Sequence, residues 1–355
     1  MTKVSQINAS TEWRSPSNLA IVKYWGKRNV QEPINPSVSF SLKNSVTITR
    51  VTATPLEKGG FTFSLNGVFN PAFHPKIETF LKQAQHHLPF IRNHHLTIES
   101  SNTFPHSSGI ASSASSMSAL ALCLLSLHNL SIGKSPESVD LTMASGLSRF
   151  GSGSACRSVF GGWSLWGKFD EVKESSDTYA VPIPKNVVSP VFQDLKNAIL
   201  IINSGSKSVS SSQGHQLMNQ HPYREARVEQ AFNHTGILLE ILKTGDWDGF
   251  IETAENEALT LHGLMLNSSP SYTLMEPNSL QAIRLIRQAR TDENLKIGFS
   301  MDAGPNLHVL YPASEVSKVE SWIEENLKPL CQNQQIIYDS VGDGPINIQS
   351  INNTI

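Results

Sequence analysis

Cysteine is scarce in this chain of 355 residues: Cys123, Cys156 and Cys331, odd in number and widely spaced. No CxxC pair or Cys/His cluster goes with them, so neither a disulfide framework nor a zinc module is expected. A surplus of one charge is also lacking. Lys and Arg number 28 against 30 Asp and Glu, for a net charge of −2 and a pI near 6.6. Without a basic run or a one-sided face, no nucleic-acid partner is expected. The first fifteen residues are polar and lack the apolar stretch of a leader. No apolar run approaches the roughly 18 residues that cross a bilayer. A cytoplasmic protein without a membrane partner is the expectation. Nothing repeats at a fixed period. Gly133-Lys134-Ser135 has no glycine five residues before it, as a Walker A loop requires. In Gly151-Ser-Gly-Ser-Ala-Cys156 the third glycine of a dinucleotide fingerprint is replaced by the cysteine.

What is present suffices for two domains, or one large one, with an ample core. A β-branched run predicts a strand over 46–54. Residues 61–65, Asn66-Gly67 and 68–69 read as a hairpin with a two-residue turn. A helix over 76–87 and a short strand over 96–99 follow. The run 198–202 reads as a buried strand opening a second domain, with the three-proline stretch 182–190 as linker. Helices are predicted over 225–243 (stopped by Gly245), 249–266, 279–290 and 315–327, and strands over 297–301, 307–311 and 336–341. The pattern is α+β, with domains at 1–188 and 189–346 and a frayed polar tail at 347–355.

Several stretches carry side chains able to do chemistry. Residues 104–118, Phe-Pro-His-Ser-Ser-Gly-Ile-Ala-Ser-Ser-Ala-Ser-Ser-Met-Ser, run into an apolar helix over 120–127, with Ser112 or Ser113 expected as its N-cap. A helix N-terminus offers unpaired N–H groups and the positive end of its dipole to an anion. Gly109, Ala111 and the serines have no bulk to hold a phosphate away. A capped core helix is the alternative, but one cap needs only one hydroxyl. A strand over 19–22 would deliver Lys23, Tyr24, Lys27 and Arg28 to its end, either as an anion site or as a solvated basic turn. Residues 151–158 read as a flexible hydroxyl-rich turn with one cation, Arg157, suited to a bidentate grip on carboxylate or phosphate. A glycine loop with a surface Arg fits the same residues. Residues 207–215 read as a mobile polar loop. Asp302-Ala303-Gly304-Pro305-Asn306 places an acid at a strand end before a Gly-Pro turn, which is ordinary turn chemistry on its own.

Together these stretches resemble one family. Pro105-x-x-x-Gly-Ile-Ala-Ser-Ser-Ala114 is similar to the phosphate loop of the GHMP kinase superfamily. With Asn102-Thr103-Phe104 ahead of it, it looks most like that of the mevalonate diphosphate decarboxylases. Lys-Tyr-Trp-Gly-Lys-Arg at 23–28 matches that family's signature, with Asn29 in place of the usual acid after it. Asn35-Pro-Ser-Val-Ser39 fits a further segment of the family. Residues 151–158, continuing into Gly161-Gly162, match its substrate loop, and Asp302–Asn306 its hallmark. Residues 342–345 resemble the superfamily's C-terminal glycine loop. Agreement over all these separated segments, in the family's order from about residue 15 to 345, makes chance untenable.

The resemblance implies the GHMP kinase fold: an N-terminal domain like domain 2 of ribosomal protein S5, a ferredoxin-like C-terminal domain, and an active cleft between them. It implies ATP as co-substrate with Mg²⁺, mevalonate 5-diphosphate as substrate, and a homodimer. Asp302 is then the catalytic base, with Lys23 and Arg157 as electrostatic clamps. Tyr24, Lys27, Ser152, Ser154, Ser210, Ser211 and Ala303 become substrate contacts. Asn102, Pro105, Ser107, Ser108, Gly109, Ala111, Ser112 and Ser113 become ATP contacts, Ser112 lying near the metal. The adenine site is not placed by the sequence; Lys76 is its one candidate. Ser300-Met301 replace the family's usual Thr-Phe, a change expected to concern packing only. The rivals are a related small-molecule kinase, a phosphomevalonate decarboxylase and a non-catalytic nucleotide-binding relative. The joint presence of Lys23 and Asp302 argues for decarboxylation, while counting cations leaves mono- and diphosphate substrates equally open.

Overall fold

Alternating and β-branched residues build two long strands that organise the first half of the chain. The computed structural model describes residues 5–105, 110–205 and 208–352, the last four by their backbone alone. Strand β1 (Ala9–Val22) is followed by the small hairpin β2 (Lys27–Arg28) and β3 (Glu32–Pro33), then by β4 (Ser37–Pro55). β4 returns antiparallel along β1, from Ala9↔Ala53 to Val22↔Val38. The Asn66-Gly67 turn is as expected: both residues have positive φ (51° and 76°), joining β5 (Gly60–Leu65) to β6 (Val68–Phe69). Helix α1 (His74–Ala84) and strand β7 (His94–Asn102) complete this part.

Helix α2 (Ser112–Ser131) buries Leu120, Leu122, Leu124, Leu125 and Leu127 against β1 and β4. By length and composition it could cross a bilayer (20 residues, mean hydropathy 1.2), contrary to expectation, but 78% of that window is buried inside the fold. The serines that interrupt its apolar run are absorbed locally. Ser115 and Ser118 bond carbonyls one turn back, and Ser126 donates to Pro136 O at 2.7 Å. The expected serine N-cap is corrected. Ala111, left-handed at φ 46°, occupies the cap without a side-chain hydrogen bond, and Ser112 and Ser113 already lie in the first turn.

Helix α3 (Leu141–Gly151) leads to a 3-10 turn over Gly153–Arg157, then to β8 (Trp163–Trp166) and β9 (Ala180–Pro182). Residues 151–158 are therefore not a flexible turn: Ala155, Cys156 and Arg157 are buried. Nor is 182–190 a loose tether. Val188 is buried, as is Phe192 in the short helix α4 (Pro190–Gln193), and Ser189 N–H bonds Leu242 O at 2.6 Å.

The second half holds β10 (Lys196–Leu200), α5 (Ser211–Leu217), α6 (Arg224–Thr244), α7 (Trp247–Leu266), α8 (Pro277–Asp292), β11 (Gly298–Met301), β12 (Leu307–Tyr311), α9 (Val316–Asn326) and β13 (Ile336–Ser340). Its sheet runs β11-β12-β10-β13, antiparallel throughout. The expected mobile loop at 207–215 is corrected: α5 occupies most of it, held by a capping box between Ser210 and Gln213. The expected frayed tail is corrected over 347–352, and its last three residues lie outside the described ones. β14 (Ile346–Asn352) pairs antiparallel with β1, giving the first sheet the order β14-β1-β4-β7-β5-β6, with β8 on β4 and β9 on β8. Ile346 and Ile348, two residues apart, were the available strand signal.

The two sheets share one core. Leu19, Ile21, Phe40 and Trp163 from the first pack with Ile199 and Leu310 from the second, together with Phe192 of α4 and Phe250 of α7. Beside it the buried Asp339 carboxylate accepts the N–H groups of Lys43, Asn44 and Ser45 at 2.8–2.9 Å. The glycine loop at 342–345 has a packing role here. A Cβ on Gly161 would meet Asp343 O at 2.2 Å, so two backbones approach where only glycine fits.

Candidate active site

The end of β1 meets the end of β11 at the floor of a cavity of about 630 Å³. β1 carries Lys23 there with 1% exposure. Its ammonium donates to Ala20 O (2.6 Å), Ser300 Oγ (2.9 Å) and Asp302 Oδ1 (2.9 Å). These three bonds use all three N–H donors of a lysine. Ser300 is thus a polar partner of the ammonium, correcting the expectation that its substitution concerns packing only; Met301 is the buried apolar one. Asp302 begins the β11–β12 turn, where Gly304 N–H bonds Asp302 O at 2.7 Å. Its carboxylate is 26% exposed, facing the cavity on one side and Lys23 on the other.

Arg157 reaches the same cavity from the 3-10 turn, 2% exposed. Its Nε and Nη2 donate to Asn18 Oδ1 (3.3 and 3.2 Å), its Nη1 to Ser37 Oγ, and its guanidinium lies 5.8 Å over the Trp166 ring. Burial lowers its pKa, opposed by Cys156, Asp302 and Tyr24; an arginine stays cationic regardless. All its hydrogen-bond partners are neutral, leaving donors for an anionic ligand. Tyr24 gives a second sign of one: its hydroxyl is buried with no hydrogen-bond partner, on the cavity wall. Burial pushes that phenol well above its ordinary pKa, so it is a neutral donor. A Cβ on Gly153 would stand 2.8 Å from the Tyr24 hydroxyl, so glycine there makes room for the ring.

Of the remaining residues expected on sequence grounds, Lys27, Ser152, Ser154, Ser210, Ser211, Ala303, Ala111 and Ser113 line the same cavity. Burial depresses the Lys27 ammonium pKa, while Nζ bonds Gln31 Oε1 at 3.2 Å. Arg28 points elsewhere, to Asp177. Asn102, Ser112 and Ser113 line a neighbouring cleft of about 60 Å³ walled by Phe63, Phe73, Ile77, Ile98 and Met117. Lys76 borders both spaces, and Pro105 lines neither. Ser107, Ser108 and Gly109 lie outside the described residues.

Sequence reasoning missed several residues. His215 packs at a tilt against Tyr24 and Trp25 (centroids 4.4 and 4.7 Å), and its Nδ1 accepts Gly26 N–H at 2.9 Å. Burial, then Lys27, lower its pKa to about 3, so the ring is neutral with its proton on Nε2. The Ser-x-x-Gln capping box at 210–213 was the signal that could have placed it on a helix. Asn18 and Ser37, which hold Arg157, carry no such signal.

Known proteins resemble the chain over nearly its whole length. A family model described as the diphosphomevalonate decarboxylase-like N-terminal domain matches residues 15–180, and one described as the mevalonate 5-diphosphate decarboxylase C-terminal domain matches 197–351. The diphosphomevalonate decarboxylase of Gibberella zeae is 29% identical over 334 residues, 88% of this chain and 82% of that one. That of Saccharomyces cerevisiae is 29% identical over 330 residues, 87% and 79% of the two chains. The solved mevalonate diphosphate decarboxylase from Enterococcus faecalis is 30% identical with a TM-score of 0.81, covering 96% of this chain and 99% of that one. A solved complex with MVAPP, AMPPCP and magnesium is 31% identical with a TM-score of 0.82 and the same coverage. The fold is the GHMP kinase fold that the motifs implied, and the chain belongs to the mevalonate diphosphate decarboxylase family.

Proposed function

We propose that the chain catalyses ATP-dependent decarboxylation of mevalonate 5-diphosphate to isopentenyl diphosphate, releasing ADP, phosphate and CO2. The observation that carries this reading is the Lys23–Asp302 pair at the floor of the cavity, a carboxylate 2.9 Å from a buried ammonium whose donors are all engaged. Asp302 takes the proton of the substrate's 3-hydroxyl as that oxygen attacks the γ-phosphorus. Lys23 orients the carboxylate throughout. The C3–O bond then breaks with its electron pair leaving on phosphate, and the C1–C2 pair moves to form the C2–C3 double bond as CO2 departs. Arg157 and the Tyr24 hydroxyl hold anionic substrate oxygens without reacting, with Lys27, Ser152, Ser154, Ser210, Ser211 and the Ala303 backbone as further contacts.

The residues present fit a nucleotide. The N-terminus of α2 has no side chain of its own in the capping position, and an apolar cleft beside it suits a base. Mg²⁺, when bound, neutralises charge on the transferring phosphoryl group. Ser112 is the side chain assigned to it. Among the described residues no group of three or more His, Cys, Asp and Glu could hold an ion, which fits a metal held largely by phosphate oxygens. The homodimer implied by the resemblance and the cytoplasmic location expected from the sequence belong to the same reading. The deciding assay combines purified protein, ATP, Mg²⁺ and mevalonate mono- or diphosphate, scoring ADP and CO2 separately. Equal ADP and CO2 from the diphosphate are expected; ADP without CO2 would mark a kinase, and activity confined to the monophosphate would overturn the substrate.

A further inference from the structure

Helix α7 touches both sheets, packing on β1 and on β11. On its buried face Glu257 has no exposed surface, yet it is ionisable and makes four charge-assisted contacts. Oε1 accepts from Arg227 Nη1 (2.7 Å) and His234 Nδ1 (2.7 Å). Oε2 accepts from Arg227 Nη2 (2.7 Å) and from the backbone N–H of Lys23 (2.8 Å). Arg227 Nη2 in turn donates to the Lys23 carbonyl at 3.0 Å, which Asn35 Nδ2 also reaches at 3.0 Å. Burial alone would raise the Glu257 carboxyl; Arg227 and the His234 hydrogen bond instead hold it well below the usual range.

The ladder between β1 and β4 ends at Val22↔Val38, so both main-chain groups of Lys23 need partners from elsewhere. A neutral amide would satisfy them. A fully buried ion pair is a costly way to do so, since desolvation offsets most of its attraction. What it adds is stiffness: two forked, charged groups fix one backbone position from both sides. Five residues further along α7, His262 Nε2 bonds the Asp302 carbonyl at 3.1 Å. One helix therefore holds the backbone on each side of the Lys23–Asp302 pair; Arg157 also acts on this pair, as does His308, whose pKa burial lowers to about 4 so that its ring is neutral.

We propose that Glu257, locked by Arg227, is a positioning residue that sets the reach of the Lys23 ammonium to the Asp302 carboxylate. This rests on the roles given above to Lys23 and Asp302. Glu257→Gln alone strands the Arg227 charge in the core and can fail to fold for that reason, so the test uses Glu257→Gln with Arg227→Met, which removes both charges together. The paired variant should fold with a Tm within a few degrees of the parent. Its kcat should fall by roughly tenfold or more, as expected for a misplaced catalytic group, while KM for ATP and for mevalonate diphosphate stays within about threefold. In an Asp302→Asn background the same pair of changes should cost less than about twofold, because the group they position is already gone. A folded paired variant with parental kcat overturns the inference, as does an equal loss in both backgrounds. If Asp302→Asn itself keeps its turnover, the catalytic assignment falls and this inference with it. If Asp302→Asn is impaired and the paired variant is not, this inference falls alone.

Discussion

Two buried cations stand at the floor of one cavity, and their surroundings differ in kind. Lys23 is saturated: its three donors go to a carbonyl, a hydroxyl and a carboxylate, so its charge is balanced within the protein. Arg157 is buried as deeply, but its partners are Asn18 and Ser37, which carry no charge. Of its five N–H donors, three are used in these bonds. An unbalanced buried charge is costly unless an anion comes to it. The arrangement thus divides the labour that the motifs alone suggested both cations share. Lys23 acts on Asp302, and Arg157 waits for the ligand.

The division can be broken most severely at Asp302. Asp302→Asn keeps the shape and suits the turn equally well, so a mere turn-former would leave activity intact. Removal of the base should lower kcat by on the order of 10²–10⁴-fold, with ADP and CO2 falling together and substrate affinity changing far less. Single-turnover measurement of both products checks this, and an Asn variant with most of its turnover sinks the assignment. The variant would also leave Lys23 with a charge no longer balanced, making the two cations alike. The next effect in size belongs to Arg157→Lys. The charge is kept but the planar fork is lost, so the bonds to Asn18 and Ser37 cannot be made in the same geometry while a ligand oxygen is gripped. Loss of one hydrogen bond to a charged group is worth about 1.5–3 kcal/mol, or roughly 10- to 100-fold in kcat/KM for the substrate. A Lys variant with parental kinetics would show that net charge is all the site requires.

How far this was legible in the sequence depends on the range of the interactions. The Asn66-Gly67 hairpin, the helices from 225 onward and the strands of the second sheet are set by local periodicity and turn chemistry, and they stand within a few residues of expectation. Lys23, Arg157 and Asp302 were found because their motifs are local, although they are separated by more than a hundred residues along the chain. Their partners were not. Asn18, Ser37, Ser300 and Glu257 become meaningful only once two sheets meet, and no spacing announces that. The differences over 211–215 and 347–352 share a cause: polar composition alone does not mean looseness. In α5 the serines serve a capping box, and in β14 a polar strand finds the open edge of β1.

The smallest expected effect sharpens the comparison from a third element, which would receive an anion with no formal charge at all. The first turn of α2 offers backbone N–H groups and a dipole, and its cap, Ala111, contributes no side-chain oxygen. Ser113 borders both cavities, with Oγ 3.1 Å from Ser152 Oγ. If Ser113 were a structural N-cap, Ser113→Ala would cost about 1 kcal/mol of stability and lower Tm by a few degrees. Because the cap position is already filled without it, the variant should instead keep its Tm. One neutral hydroxyl lost from a nucleotide contact is worth about 0.5–1.5 kcal/mol. KM for ATP should therefore rise by roughly two- to tenfold, while KM for mevalonate diphosphate changes less. Thermal melting and ATP titration of Ser113→Ala and Ser112→Ala, side by side, separate the two roles. A lowered Tm with an unchanged KM would return the serines to the scaffold and leave Arg157 and the backbone to hold the anions.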